Sequence, residues 1–379
     1  MTETVSDEQL NRATLARQLL LHRAKLDPVT AVSRLCALQA QEPASPYLAL
    51  WTRLADFDPR LLDEAIRTGE IVKTTAMRVT LHLLTAEDYP AFWAAHADYI
   101  RRARTGMPRF PAGAVPREQV DHLVASAVAF ATAEPRSNAE MTAHLEGLAG
   151  AFVDQGWWWA VRPFAPVLRA PDDEPWMYSR RPSYVAPSTA PFGLNTDKAL
   201  EYVVLSYLAA FGPATLADIA QFTKHARAPM RAAFERLRPE LRIFENTSGQ
   251  ELFDVPDGVI PAGETPAPAR FLPMWDSVLL AYAGRSRIIP ADVRTQVIRR
   301  NGDVLPTVLV DGSVAGVWLP AEGTIQVKAF RPLPPQAWDE LAAEATALTA
   351  LIAPREPGVY RRYTRWWDAV PAEIVTLPG

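Results

Sequence analysis

The sequence predicts an α+β protein built from about three tandem winged helix-turn-helix units and a C-terminal β-rich domain. Three observations support this fold class. The order of helices followed by a two-stranded ribbon recurs along the chain. Proline is abundant, at 34 of 379 residues, and separates many short apolar-periodic segments. The pattern becomes β-rich after about residue 260. We therefore predict three winged-helix domains and a C-terminal α+β domain, over residues 1–100, 101–190, 191–259 and 260–379.

The first unit is predicted to contain three helices and a ribbon. Apolar periodicity predicts helices at residues 7–22, 28–38 and about 45–54, and β-branched residues predict strands at 71–75 and 79–84. The second helix opens with Asp27 and Pro28, a cap followed by a proline. Pro43 and Pro46 disfavour helix in the residues just before them, so the third helix starts there.

The second and third units repeat this order. In the second, we predict helices at residues 117–132, 137–145 and within 157–171, and a ribbon within 176–186. Ser137 and Glu140 have the spacing of a capping box. In the third, we predict helices at residues 197–211, 215–223 and 226–237, and a strand, a turn and a strand within 241–255.

The C-terminal domain is predicted from hairpin chemistry. Asp311 and Gly312 lie between two β-rich arms in VLVDGSVAGVW, the pattern of a tight hairpin turn. TIQVKAF at 324–330 adds a strand, and residues 336–352 form a helix rich in Ala, Leu and Glu. Together these elements predict a small α+β domain.

Charge is unevenly distributed in a chain whose net charge is only -4. Residues 101–109, 224–242, 285–300 and 355–365 each hold three or four more basic than acidic residues. A basic face with an acidic back would suit a DNA-binding groove, whereas scattered solvated helix faces would give the same counts.

Several classes of function are disfavoured. The single cysteine, Cys36, excludes an intramolecular disulfide and a cysteine-rich zinc site. The six histidines never fall at tight metal-ligand spacing, and Walker, G-x-S-x-G, H-E-x-x-H and G-x-G-x-x-G strings are missing, so we expect neither metal nor cofactor. The first 20 residues show no signal peptide, and no run approaches the ~20 apolar residues of a membrane span. We expect a soluble intracellular protein.

The candidate catalytic string is Gln39-Ala40-Gln41. If the nearby prolines keep this stretch extended, residues two apart share one side, so both carboxamides face one point beside the start of the third helix. Two amides offer donors and acceptors that can position a water molecule. The alternative is that both glutamines cap backbone groups in a turn.

The chain resembles the AlkZ/YcaQ-type winged-helix DNA glycosylases. The matching strings are ATLARQLLL, LCALQAQEP, MRVTLHLLTAEDY, GPATLADIAQFT, RFLPMWDSVLLAYAGRSRII and VLVDGSVAGVW, in the expected order over nearly the whole chain. The family's catalytic pair is Gln-x-Gln or Gln-x-Asp. Gln39 and Gln41 give the Gln-x-Gln form, which is similar to the AlkZ branch that provides self-resistance to azinomycin B.

The resemblance implies a monofunctional DNA glycosylase that hydrolyses the N-glycosidic bond of bulky N7-alkylguanine lesions, including interstrand crosslinks. Its partner would be double-stranded DNA carrying alkylpurine adducts, held by a C-shaped monomer near the nucleoid in the cytoplasm. In this chain no lysine is placed to suggest a Schiff-base lyase step. The alternatives are a non-catalytic tandem winged-helix regulator and a protein that sequesters the toxin itself.

Further residues are expected to contact DNA. Arg78, Thr80 and His82 alternate along the predicted strand and share a face, which either lines the groove or turns to water. Arg285 and Arg287 are candidate phosphate contacts, with surface salt bridges as the alternative. The hairpin turn at Asp311 and Gly312 is a candidate groove probe. The tryptophan clusters and Asp276 are expected to be structural.

Overall fold

The computed structural model describes residues 3–107, 116–150, 156–188 and 191–378. Within these ranges the fold is mixed α+β, as predicted, with helices packed around four β-sheets.

The N-terminal region carries the first five helices and four strands. In chain order they are β1 (Glu3–Val5), α1 (Asp7–Arg17), α2 (Pro28–Arg34), β2 (Leu38–Gln39), α3 (Ala44–Trp51), α4 (Pro59–Arg67), β3 (Ile71–Thr75), β4 (Leu81–Thr85) and α5 (Tyr89–Thr105). Strands β2, β4 and β3 form one antiparallel sheet in that order. The predicted helices are present but shorter, and α4 and α5 were not predicted.

The early helix ends coincide with residues in the left-handed region of the backbone. Leu19 has φ 57°, and Cys36 and Ala37 have φ 57° and 71°. Helices α1 and α2 therefore end at Arg17 and Arg34, before the apolar periodicity does. The turn after α2 sends the chain into β2 and so places Gln39 in a sheet.

The second region has its own core. It contains α6 (Arg117–Phe130), β5 (Arg136–Ser137), α7 (Asn138–Ala149), α8 (Gly156–Val161), β6 (Leu168–Arg169) and β7 (Ser183–Val185). The capping box of Ser137 and Glu140 is present at α7. The predicted third helix is confined to α8, because the chain then turns into β6, and the predicted ribbon contributes one strand of the sheet β5-β7-β6. Trp158 is fully buried here, as expected for a core residue.

The third region confirms its predicted elements closely. It contains α9 (Thr196–Phe211), α10 (Leu216–Thr223), α11 (Arg227–Leu237), β8 (Arg242–Asn246) and β9 (Glu251–Asp254). The N-terminal strand β1 pairs in parallel with β8, so the chain's first strand completes this distant sheet. Strand β1, which lies within the predicted first domain at residues 1–100, therefore pairs with a strand of the predicted third domain.

The C-terminal region is built on a five-stranded antiparallel sheet. Its elements are β10 (Arg270–Leu272), α12 (Arg294–Val297), β11 (Thr307–Val310), β12 (Ser313–Ala321), β13 (Thr324–Ala329), α13 (Pro335–Ile352), α14 (Thr364–Asp368) and β14 (Ile374–Leu377). The strands follow the order β10 to β14 across the sheet, and the predicted hairpin and helix are confirmed.

One hydrophobic core runs through the first, third and C-terminal regions, whereas most of the second region packs separately. Buried ion pairs join the regions that share the core. Arg17 forms a two-pronged pair with Asp254, and Arg53 forms another with Asp276, with N···O distances of 2.6 to 2.8 Å. Asp276 also accepts a hydrogen bond from the Val278 backbone, as its predicted structural role requires.

Candidate active site around Gln39 and Gln41

Only the first part of the Gln39-Ala40-Gln41 string is extended: strand β2 ends at Gln39 and Gln41 lies in a bend, so the predicted extension holds for Gln39 but not for Gln41. Gln39 lies opposite His82 in the β2–β4 ladder, and the Ala40 backbone N–H donates to the Leu81 carbonyl. Helix α3 begins directly after Pro43. Gln39 therefore lies on a sheet edge, and Gln41 lies in the bend between that edge and the N-terminus of α3.

Gln39 is held in place by an arginine. Its side chain is 6% exposed, and its Oε1 accepts a 2.8 Å hydrogen bond from Nη2 of Arg78. The other terminal nitrogen of Arg78 donates to the Phe222 carbonyl at the end of α10, and its guanidinium lies over the Phe222 ring. Arg78 thus fixes the Gln39 carboxamide and ties it to the third region.

Arg78 reaches Gln39 from a turn rather than from a strand. Residues Met77–Val79 form a 3-10 turn in which Arg78 and Val79 have φ near 57° and 58°, and β4 starts only at Leu81. The prediction that Arg78, Thr80 and His82 alternate along one strand is therefore wrong. Arg78 and His82 do meet, at 3.2 Å, because the turn folds the guanidinium back over the strand.

The side chains of Thr80 and His82 form hydrogen bonds within the protein. The Thr80 hydroxyl donates to the Met77 carbonyl and closes the turn. His82 is fully buried, and its Nδ1 lies 3.0 Å from the Thr80 carbonyl. Burial and the nearby Arg78 charge hold the pKa of His82 well below its ordinary value. A neutral imidazole that donates from Nδ1 therefore accepts from Arg78 at Nε2.

Gln41 has different surroundings from Gln39. Its side chain is exposed at a cavity of about 370 Å³, and Gln39 is not among the lining residues. The lining basic side chains are Lys73, Arg162, Arg169, Arg180 and Arg362, and the lining acids are Glu42 and Asp172. The Gln41 carboxamide makes no hydrogen bond within the described part of the chain, so it is free to bind water.

A second group of basic side chains, Arg78, Arg285 and Lys224, lies near Gln39 and away from the cavity that Gln41 lines. Burial and the nearby Arg285 charge lower the pKa of Arg78 to about 9, and burial and the nearby Arg294 charge lower that of Arg285 to about 10. Burial, with Arg285 and Arg78 contributing, also lowers the pKa of Lys224. Nε and Nη1 of Arg285 are buried and lack hydrogen-bond partners among the described residues. Excess positive charge of this kind favours an anionic partner.

The remaining predicted DNA contacts lie against helix α1. Arg287 donates to the Pro213 carbonyl and stacks on Tyr282, 3.8 Å from the ring centroid. The carbonyls of Arg287 and Gly312 both accept hydrogen bonds from Asn11 Nδ2.

The Asp311–Gly312 turn is packed against this helix rather than projecting from the surface. Asp311 forms an ion pair with Arg12, although its own side chain is 74% exposed. The backbone of Gly312 is buried beside Asn11, so α1 fixes the position of the turn.

Lys73 is the site residue that the sequence did not reveal. It lies within β3, and the residues that surround its amine, Arg169 and Tyr178, come from about a hundred residues further along the chain. In the sequence, the only sign of its role is that it is a charged residue within a strand of mainly β-branched residues, IVKTT at 71–75.

Over the described ranges, no cluster of histidine, cysteine and acidic residues has the arrangement of a metal site. No helix in those same ranges has the length and apolar character of a membrane span. Arg109, one of the predicted basic residues, lies outside the described residues.

Comparisons with known proteins agree with one another. The model of the family described as DNA glycosylase AlkZ-like matches residues 32–351. A curated relative from Streptomyces sahachiroi, named interstrand DNA cross-link repair glycosylase, is 26% identical over 372 residues, which cover 92% of this chain and 95% of that protein. The solved structure of Streptomyces sahachiroi DNA glycosylase AlkZ is similar in fold, with a TM-score of 0.78 at 23% identity over 93% of this chain and 97% of the other.

Proposed function

Because this chain belongs to the AlkZ-like family of DNA glycosylases, we propose that it hydrolyses the N-glycosidic bond of bulky N7-alkylguanine lesions. We further propose that it unhooks interstrand crosslinks as self-resistance to a genotoxic natural product. The name of the Streptomyces sahachiroi relative supports this extension. The observation that carries the proposal is the position of Gln39 and Gln41 beside two groups of basic side chains whose charge is only partly balanced by acids.

The leaving group of this reaction needs little catalytic assistance. An N7-alkylated guanine already carries a positive charge, so its glycosidic bond breaks without protonation and leaves an oxocarbenium-like sugar. Two neutral carboxamides can then suffice, provided that they place a water molecule at the anomeric carbon. An unmodified purine is a far poorer leaving group, so weak catalysis also gives selectivity.

The two glutamines have separate tasks in this proposal. Arg78 occupies one lone pair of the Gln39 carbonyl oxygen and fixes the orientation of the amide, which leaves Nε2 to donate. The exposed Gln41 carbonyl accepts a hydrogen bond from the nucleophilic water and directs the water oxygen towards the sugar. The Gln41 carbonyl oxygen also stabilises the developing positive charge.

We propose that three winged-helix units and the C-terminal domain form a C-shaped monomer around the DNA near the nucleoid. Arg78 and Arg285 are the proposed phosphate contacts close to Gln39, and Arg287 is a further one. Thr80 and His82 act by supporting Arg78. The turn at Asp311 and Gly312, which α1 holds in place, is the proposed groove contact.

Excision from DNA that carries N7-methylguanine tests the proposal. After incubation, alkali converts each abasic site to a strand break that can be counted. We expect the wild type to release the base and the double variant Gln39→Ala, Gln41→Ala to lose release. Gln336→Ala, which removes an exposed carboxamide on α13, is the matched control. An unchanged rate in the double variant would overturn the assignment.

A further inference from the structure

Lys73 is a buried lysine without an ionic partner. Its side chain is 3% exposed, and Nζ lies 4.4 Å from the centroid of the Tyr178 ring. Among the described residues, no carboxylate or carbonyl oxygen accepts a hydrogen bond from Nζ. Lysines this deeply buried are ordinarily paired, because an unpaired ammonium is costly to remove from water. The cavity that Lys73 lines with Gln41 therefore offers an unused cation.

The acids in this cavity are already occupied. Glu42 accepts hydrogen bonds from Arg362 and from the Tyr363 hydroxyl. Asp172 accepts from the backbone N–H groups of Glu174 and Ser179. Neither carboxylate pairs with Lys73, so the positive charge of the cavity lining is only partly balanced.

The other basic side chains surround Lys73 from separate elements. Arg162 follows α8, Arg169 lies in β6, Arg180 lies in the loop before β7, and Arg362 lies before α14. Burial and the nearby Arg169 lower the pKa of Lys73 to about 7, and Asp172 opposes this shift. The amine is therefore partly neutral at physiological pH, and an anion that enters the cavity favours its protonated form.

We propose that this cavity binds one backbone phosphate of the DNA strand beside the lesion, and that Lys73 is the cation that receives it. The inference rests on the proposed function and deepens it. Gln41 lines the same cavity, so a phosphate held there places the adjoining sugar next to the candidate water-binding carboxamide. Lys73 is a positioning residue, and its ammonium is a compact donor suited to a phosphate oxygen.

Proton linkage is the first test, measured with a duplex that contains a tetrahydrofuran abasic site. The protonated amine binds, so wild-type affinity falls as pH rises from 6 to 9. Lys73→Met binds about tenfold more weakly at pH 6 and loses the pH-dependent component. Lys73→Arg restores the affinity and removes the same component, because arginine stays charged. Lys198→Met, which removes an exposed lysine on α9, serves as control.

Single methylphosphonates, placed in turn at each backbone position near the abasic site, identify the phosphate. We expect a methylphosphonate at one position to weaken DNA binding by the wild type and to leave DNA binding by Lys73→Met unchanged. Equal sensitivity of both proteins at every position would overturn the proposal. Covalent trapping of Lys73 on natural abasic DNA by borohydride would also overturn it, since it would assign the amine as a nucleophile.

Neither binding measurement requires base excision. If wild-type protein fails to excise N7-methylguanine but shows the linkage, the proposed function fails and the phosphate site stands. If the wild type excises N7-methylguanine but its DNA affinity shows no pH dependence from Lys73, the phosphate site is wrong and the proposed function stands.

Discussion

The contact between Arg78 and Gln39 makes the two candidate catalytic glutamines unequal. Gln39 is buried and fixed through its carbonyl oxygen, whereas Gln41 is exposed and has no hydrogen bond within the described residues. A carboxylate in place of either amide removes the same two N–H donors but meets different neighbours. Substitution at these two positions therefore separates their roles.

We expect Gln41→Glu to retain excision and Gln39→Glu to lose about 100-fold in single-turnover rate. At position 41 the new carboxylate still accepts from water and adds a general base. At position 39 it forms a buried ion pair with Arg78, and no donor remains. Rates on N7-methylguanine DNA at saturating enzyme measure this difference.

The contrast between the two variants carries the test. Equal rates for Gln39→Glu and Gln41→Glu would show that Arg78 does not distinguish the two positions. Lesion-DNA affinities, measured alongside, separate a loss of binding from a loss of chemistry.

Sequence reasoning proposes Gln39 and Gln41 as catalytic candidates but does not predict their partners. The prolines imply an extended string, and the structure shows strand up to Gln39 and a bend at Gln41. The left-handed turn at Arg78 and Val79 was not predictable, because neither residue ordinarily favours positive φ. Lys73 remained hidden because its site forms only when β6 and the following loop pack beside β3.

At the scale of elements, the sequence predicts a helix boundary well where the helix begins with a capping box. Thr215 and Asp218 begin α10 with a capping box, and the helix lies where the sequence places it. Helix α2 ends before its predicted end because Cys36 and Ala37 adopt positive φ, and no capping residue in the sequence predicts this. Strand β1 was missed because its partner β8 lies more than 200 residues away, and such pairing has no local signature.

The hairpin turn at Asp311 and Gly312 is expected to stabilise the junction between α1 and the C-terminal sheet. Gly312 has φ 75°, and an added Cβ would lie 2.4 Å from Asn11 Oδ1 and 2.7 Å from Leu15 Cδ1. Gly312→Ala should therefore lower the free energy of unfolding by about 2 to 4 kcal/mol, through backbone strain and a clash with α1. Urea unfolding measures the loss.

Gly323 is the matched control for this prediction. It occupies the next hairpin turn of the same sheet with φ 82°, and an added Cβ would meet nothing within 4 Å. Gly323→Ala should cost only the backbone strain, about 1 kcal/mol. Equal losses for the two alanines would show that packing against α1 adds nothing at Gly312.

At the scale of the whole molecule, the shared core places buried histidines between regions. His96 of α5 and His225, which follows α10, lie with ring centroids 4.7 Å apart, and their Nε2 atoms have no partner in the described part of the chain. Burial lowers the pKa of His96 to about 3, with His225 contributing, and lowers that of His225 to about 4, with Arg102 contributing. Both rings are neutral in the folded protein at neutral pH.

These histidines predict acid destabilisation well above the pH at which carboxylates titrate. As pH falls below about 6.5, the unfolded chain binds protons that the folded chain excludes, so the free energy of unfolding falls. Each of His82, His96 and His225 contributes up to about 1.4 kcal/mol per pH unit until its folded pKa is reached. Urea unfolding at pH 7.5, 6 and 5 measures the slope. His225→Phe, which keeps an aromatic ring beside Tyr99, should reduce the slope by about one third, whereas an unchanged slope would mean that His225 is already protonated in the folded state.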